Sequence, residues 1–319
     1  MKFKKLSRSW TYLACSFLLF PFLGSFIQHE VDYTVEDTLT LELDQPFARI
    51  LQFTDLHLTF GVDAYDQKTL AMIKTITLAE QPDLVVFTGD LTMSPLSPWL
   101  FGMVSDLMDT LATPWTFVFG NHDDDFNPNR ANLMFIQNNP YLRFLTGPQL
   151  LQGGLGNFKM DLQYEESTFY HLYFLDSKAE LKDQLFTYDY LSVAQVQWYE
   201  NHVQQDQASS LVFMHIPLQE MADFDGIPFE DGEMNEPAVY AQGVNTGFFD
   251  KAVTYDKTKA IFFGHDHLSN FSFYKEGVLL AYGQTSGYNG YGQNERGARL
   301  IVIGPSTFET ELLWHKDYP

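Results

Sequence analysis

The chain has 319 residues, 45% hydrophobic and 16% aromatic, with 19 Lys and Arg against 41 Asp and Glu for a net charge of −22. That length suits one large domain or two small ones, and the acidity weighs against a nucleic-acid duplex as partner. Cys15 is the single cysteine, which excludes an intramolecular disulfide, a Cys-based zinc site and a thiol nucleophile in the body of the protein.

Lys2, Lys4, Lys5 and Arg8 precede an uncharged run from Trp10 to Ile27. At about 1.5 Å per residue this run reaches roughly 27 Å, enough to cross a hydrocarbon core. Residues 1–27 therefore read as a signal peptide, with Ser25 the best small residue for cleavage, or as an uncleaved membrane anchor. Cys15 lies inside the run rather than after it, which argues against a lipid-modified cysteine. In both cases the basic end stays in the cytoplasm, and residues 28–319 are extracytoplasmic, secreted or anchored. Residues 29–319 carry 15 basic and 41 acidic side chains, 15 − 41 = −26. Bound divalent cations would offset part of that charge locally, so a small anionic substrate stays open.

The predicted elements then run in order. Residues 29–46 are a tether leading into a strand from Thr38 to Leu43, and Ala48 to Phe53 is a short apolar strand ending at Asp55 and His57. Asp66 to Gln81 is a helix with apolar positions Leu70, Ile73, Ile76 and Leu78, stopped by Pro82. Leu84 to Thr88 is a strand ending at Gly89-Asp90. Leu96 to Leu111 is a helix, and Trp115 to Phe119 a strand ending at Gly120-Asn121-His122-Asp123. Pro128 to Asn138 reads as helical. Gln149 to Asp161 reads as a strand with a Gly-rich hairpin (Gly153, Gly154, Gly156), followed by a strand from Thr168 to Asp176. Ser192 to Asp206 is a helix, and Leu211 to Met214 a strand ending at His215. Ile261 to Phe263 is a strand ending at Gly264-His265-Asp266-His267. Val278–Tyr282, Ala298–Ile303 and Phe308–Trp314 close the chain as strands. Strands alternate with helices early and dominate late, which predicts an α/β domain with mixed sheets covered by helices.

Five apolar strands thus end in polar groups: Asp55/His57, Asp90, Asn121/His122, His215 and His265/His267. In open α/β sheets the ligand lies beyond the carboxyl ends of the strands, where such groups can converge. Asp55 and His57, like His265 and His267, are spaced i, i+2, which puts both side chains on one side of an extended segment. Asp, Asn and His together suit first-row divalent ions. Seven candidate ligands are too many for one ion with open positions and suit two ions sharing a carboxylate. His122 can move a proton near neutral pH, and Asp123 is expected to hold and charge-stabilise its ring.

The ordered set D-x-H, G-D, G-N-H-D, H and G-H-x-H resembles the calcineurin-like metallophosphoesterase superfamily from about Arg49 to Trp314. The tail with VNTGFF, FFGHDH and GYNGYG is similar to the fungal and plant branch related to purple acid phosphatases. The resemblance implies two mixed β-sheets packed as a sandwich, flanked by helices, forming a metallophosphoesterase domain over residues 28–319. It implies one metal on Asp55, His57, Asp90 and His267, and a second on Asp90 (bridging), Asn121, His215 and His265. His122 matches the residue that contacts the phosphate and protonates the leaving oxygen. The ions would be two divalent or mixed-valence metals, Fe, Mn or Zn, with Ca or Mg as further options. Asp123 stands where purple acid phosphatases have Glu, Met93 where they have a tyrosine ligand, and His57 is a ligand they lack.

The expected function is hydrolysis of phosphate monoesters, on a small phosphorylated substrate or a phosphoprotein. The alternatives are a phosphodiesterase for nucleotides or lipid head groups, and a metal-binding surface protein without turnover. His29, His171, His202 and His315 read as structural or surface residues, and Asp124 and Asp125 as a solvated turn. Gln219 to Gly243 is expected to form a rim loop shaping substrate access. Tyr288 and Tyr291 either border the pocket or form a plain turn. Arg296 and Arg299 are expected in strand-edge salt bridges, with a phosphate contact as the other option. Oligomeric state is not legible, and a membrane contact arises only through an uncleaved residue 1–27 segment.

Overall fold

Leu211 and Phe213 enter one hydrophobic cluster while Val212 and Met214 enter another, and this two-residue alternation sets the layering of the protein. A computed structural model describes residues 32–181 and 187–319. The predicted targeting segment, residues 1–27, lies outside these residues. Among the described residues no helix is long and apolar enough to cross a membrane.

Sequence order gives strands β1 (Thr38–Glu42), β2 (Ala48–Phe53), β3 (Leu84–Thr88), β4 (Trp115–Val118), β5 (Phe158–Tyr164), β6 (Ser167–Phe174), β7 (Ser209–Phe213), β8 (Thr258–Phe263), β9 (Ser272–Lys275), β10 (Val278–Tyr282), β11 (Gly297–Gly304) and β12 (Thr307–Trp314). The helices are α1 (Ala64–Glu80), α2 (Ser97–Leu111), α3 (Asn129–Asn132), α4 (Val193–Val203) and α5 (Phe248–Thr254). One sheet has the order β1-β5-β6-β7-β8-β10-β9 and the other β12-β11-β2-β3-β4. Both are mixed: β2, β3 and β4 run parallel, as do β6, β7, β8 and β10, while β11, β12 and β9 pair antiparallel. This is the predicted two-sheet α/β architecture.

Ile50, Leu84 and Val86 of one sheet meet Leu172, Phe213 and Phe262 of the other in a shared core. Phe158, Phe174, Phe213 and Phe262 stack across four neighbouring strands, with centroids 4.7, 5.4 and 5.3 Å apart. Such cross-strand aromatic pairs contribute beyond their area alone. On the outer face of the larger sheet, Trp198 and Tyr199 of α4 and Phe248 of α5 cover Val212, Ile261 and Leu280. Ser192 and Gln195 form a reciprocal capping box that starts α4, satisfying two otherwise unpaired N–H groups.

Several local expectations are corrected. In α1, Leu78 is 57% exposed, and Met72 joins Ile73 and Ile76 on the buried face. The helical stretch from Pro128 shrinks to α3 and a short 3₁₀ turn, Leu133–Phe135. The Gly-rich segment is an irregular connection rather than a hairpin, and its strand begins only at Phe158. Gly154 has φ +69°, and a Cβ there would stand 2.1 Å from Asp176 Oδ2. The hairpin instead turns at Glu165 and Glu166, both at positive φ. Helix α5 and strand β9 were not predicted.

Candidate metal centre

The carboxyl ends of β2, β3, β4, β7 and β8 meet at one edge of the sandwich. Backbone bonds lace the loops that leave them: His57 N–H donates to Asp90 O at 3.0 Å, Asp55 N–H to Gly89 O at 3.1 Å and Gly264 N–H to His215 O at 3.0 Å. Asp55, His57, Asp90 and His265 all have positive φ, between 46° and 82°. Non-glycine residues rarely adopt this region, and each costs about 1–3 kcal/mol. The cost is borne where the chain must turn its side chains back over the strand ends.

Asp55, His57, Asp90 and His267 are buried and offer ligand atoms that all lie within 4.8 Å of one another. His57 Nε2 is 2.9 Å from His267 Nε2 and 3.4 Å from Asp90 Oδ2, and His267 Nε2 is 3.3 Å from Asp55 Oδ1. Beside this group, His215 Nε2 lies 3.3 Å from Asp90 Oδ2 and 3.1 Å from Asn121 Oδ1. The His265 ring stands edge-on to His215, with centroids 5.2 Å apart. The seven candidate ligands at the strand ends are thus brought together, with Asp90 between the two halves.

The donor set fits a cation. His215 Nδ1 lies 2.7 Å from Thr88 O, so the neutral ring carries its proton there and turns a lone pair from Nε2 toward Asp90 and Asn121. Burial pushes His57 down to about 4 and His265 down to about 3, so both rings are neutral donors at pH 7. Without a cation, burial disfavours a charged His215, but the Asp90 carboxylate outweighs it and raises the ring to about 10. Burial also opposes ionisation of Asp55 and Asp90, yet His267 holds Asp55 down at about 2, and His215 holds Asp90 well below the usual carboxylate range.

His122 lies at the rim of this cluster. Its backbone N–H donates to Asp90 Oδ1 at 2.8 Å, and its ring is 5.3 Å from that of His57. The expected contact with Asp123 is not made. Asp123 is 1% exposed and accepts from the backbone N–H groups of Asp90 (3.0 Å), Thr92 (3.0 Å) and Gly120 (2.8 Å), tying two strand-end loops together. His122 Nδ1 pairs instead with Asp125 Oδ2 at 2.8 Å. Asp125, read from sequence as part of a solvated turn, is the carboxylate that meets the imidazole. Burial lowers His122, but Asp90 and then Asp125 reverse this and raise its pKa above the usual histidine value.

A cleft of about 630 Å³ opens over the cluster, lined among others by His57, Asp90, His122, His265 and His267. Glu236, Pro237 and Tyr240 bring the segment Gln219–Gly243 to its rim, as expected. Tyr291 borders the cleft and stacks on His267 with centroids 4.1 Å apart, whereas Tyr288 turns to His315 Nδ1 at 2.6 Å. Met93 also lines the cleft. Arg299 is bound to Asp231. Arg296 donates to the carbonyls of Gly287, Gly290, Tyr291, Gly292 and Asn294. Its guanidinium holds the Gly-rich loop together. His171 and His202 pair with Asp161 and Asp37, away from the cluster. His29 lies outside the described residues.

Gly89 is required at the turn into Asp90. It has φ +89°, and a Cβ there would stand 2.5 Å from His215 Nδ1 and 2.8 Å from Gly120 Cα. Gly89→Ala is expected to lower stability by more than about 1 kcal/mol and to weaken metal binding, because His215 must move. Gly226→Ala shares the positive φ, +77°, but nothing lies within 4 Å of the new Cβ, so it should cost less and leave metal binding intact. Thermal melts with and without added metal compare the two; equal effects would separate Gly89 from the site.

The family model described as Calcineurin-like phosphoesterase matches residues 48–269, a stretch holding every residue of the cluster. The chain is 28% identical to "Probable inactive purple acid phosphatase 14" of Arabidopsis thaliana, over 80% of this chain and 74% of that protein. It is 29% identical to Phosphatase DCR2 of Saccharomyces cerevisiae, over 72% of this chain and 46% of that one. A solved dimetal phosphatase from Danio rerio has a similar fold, with a TM-score of 0.56 at 12% identity over 83% of this chain and 99% of that chain.

Proposed function

The chain belongs to the calcineurin-like phosphoesterase family, and from that premise we propose that it hydrolyses phosphate monoesters at a centre of two metal ions. The observation that carries this reading is the set of seven buried donors divided around Asp90. Asp55, His57, Asp90 and His267 would hold one ion, and Asp90, Asn121, His215 and His265 the other. The ions are divalent or mixed-valence, with Fe, Mn or Zn ahead of Ca or Mg on donor chemistry. When bound, such ions supply neutralisation of phosphoryl oxygens and acidification of water. Met93 supplies only a thioether where the purple enzymes have tyrosinate, so a phenolate charge-transfer colour is not expected.

The chain's own residues then position and protonate. The bond from His122 N–H to Asp90 Oδ1 fixes the imidazole over the cluster, and the Asp125 contact at Nδ1 leaves Nε2 free for the departing oxygen. A general acid must be protonated at working pH, and the Asp125 carboxylate 2.8 Å from Nδ1 favours the protonated ring. Asp125→Asn removes an anion from the ring and lowers the His122 pKa. The alkaline limb of the rate profile should therefore move to lower pH. An unmoved limb would separate Asp125 from the acid.

A second reading, a metal-binding protein without turnover, is favoured by the names of three Arabidopsis relatives called probable inactive purple acid phosphatases. Phosphate release from an aryl monoester, compared with hydrolysis of an aryl diester, with added Mn²⁺, Zn²⁺, Fe²⁺ or Ca²⁺, decides the matter. Release from the monoester supports the phosphatase, hydrolysis of the diester alone makes it a phosphodiesterase, and neither leaves the second reading. The basic flank and apolar run of residues 1–27 support an extracytoplasmic site of action, secreted or membrane-held.

A further inference from the structure

Among the described residues, no Lys or Arg lines the cleft, although Glu236 and Asp266 both do. Arg296 and Arg299, the guanidinium groups of the neighbouring segment, are engaged by carbonyls and by Asp231. Glu236 is held beside the metal cluster: its Oε1 accepts from Leu268 N–H at 3.1 Å and from the Tyr291 hydroxyl, whose ring stacks on His267. Asp266 is 3% exposed, and its Oδ1 has no hydrogen-bond partner. Its Oδ2 accepts from Tyr240 N–H and the Tyr282 hydroxyl. Tyr240 and Tyr291, 41% and 51% exposed, flank these carboxylates in the cleft wall.

A buried, unpartnered carboxylate oxygen is costly, and a positive charge in the adjoining cleft would offset it. Aromatic faces beside carboxylates favour the same kind of group, an ammonium or its methylated form. A second anionic group on the substrate would meet Glu236 with no Lys or Arg among the described lining residues to offset it.

We propose that the Glu236–Asp266 wall recognises a positively charged organic group, so that the preferred substrate is the phosphate ester of an amino alcohol. This rests on the phosphatase reading, since it names the substrate of the same site. The phosphoryl end lies over the metal cluster and the ammonium end against Glu236. Sugar bisphosphates and nucleoside polyphosphates are disfavoured by the same arrangement.

The test uses three phosphonates, which cannot be hydrolysed: aminoethyl-, hydroxyethyl- and carboxyethylphosphonate, bound to the Mn²⁺-loaded full chain and followed by calorimetry. The aminoethyl compound should bind about tenfold more tightly than the hydroxyethyl one, and the carboxyethyl compound most weakly. Glu236→Gln keeps an acceptor for Leu268 N–H, and should bring the first two within about twofold. If Glu236 only held the loop, the substitution would weaken all three together and leave their ratios unchanged, which overturns the proposal. Equal affinities in the parent overturn it as well. Turnover of the matching phosphate esters is read separately. A charge preference in binding without any turnover removes the phosphatase and keeps the recognition; turnover without a preference does the reverse.

Discussion

Asp90→Asn is expected to lose both metal ions and nearly all activity while the protein stays folded. Asp90 is the only candidate ligand placed in both halves of the site, with Oδ2 3.4 Å from His57 Nε2 and 3.3 Å from His215 Nε2. An amide removes the charge that offsets two cations, and one of its two polar atoms becomes a donor rather than a ligand. The loss should amount to several kcal/mol of transition-state stabilisation, or about 10³-fold or more at 1.36 kcal/mol per decade. The fold has reason to survive. Asn can still accept the His122 N–H through its oxygen, and its NH₂ can donate to a neutral His215 or His57. The checks are metal analysis and thermal melts. The parent should gain melting temperature with added metal, by mass action, and the variant should gain little. Two tightly bound ions in a folded Asp90→Asn protein would overturn the assignment of Asp90 as the bridge.

His122→Asn should behave differently, keeping its metals while kcat falls by about 10²–10⁴-fold, the usual contribution of a positioned acid. Its tie to Asp90 is made by the backbone N–H, at 2.8 Å, and survives the substitution. What disappears is the proton on the ring facing the cleft. An aryl leaving group departs with little need for that proton, whereas an alkoxide needs it. The loss should therefore shrink across a series from alkyl to nitrophenyl phosphates. Equal losses throughout the series would remove His122 from the acid role.

The two carboxylates after His122 show where local reading stops. Asp123 and Asp125 lie two positions apart in a turn with no helical or strand period. Which of them meets the imidazole depends on how the turn is drawn over the cluster. Burial takes Asp123 inward to three N–H donors from two loops, and this leaves Asp125 beside the ring. The signal available was the i, i+3 spacing of His122 and Asp125, which in irregular chain says little about proximity. The Gly-rich stretch before Phe158 failed as a hairpin for a similar reason. Its glycines relieve close approaches to distant residues such as Asp176, and nothing in the stretch names those residues. Glu236 passed unnoticed as one acid in an acidic rim segment.

The sequence by itself determined the α/β class with mixed sheets and the seven candidate donors at the strand ends. Both follow from short-range pattern: a buried strand is a brief apolar run, and a polar residue directly after it must lie at the sheet edge. Only the tertiary structure decided which donors face which, because His57 and His267 meet across 210 residues and His215 and Asn121 across 94. Those contacts depend on how two sheets superpose their edges through a shared core, and on the left-handed backbone at Asp55, His57, Asp90 and His265. Neither the packing of one sheet on the other nor a φ forced by tertiary contacts leaves a periodic trace in the chain.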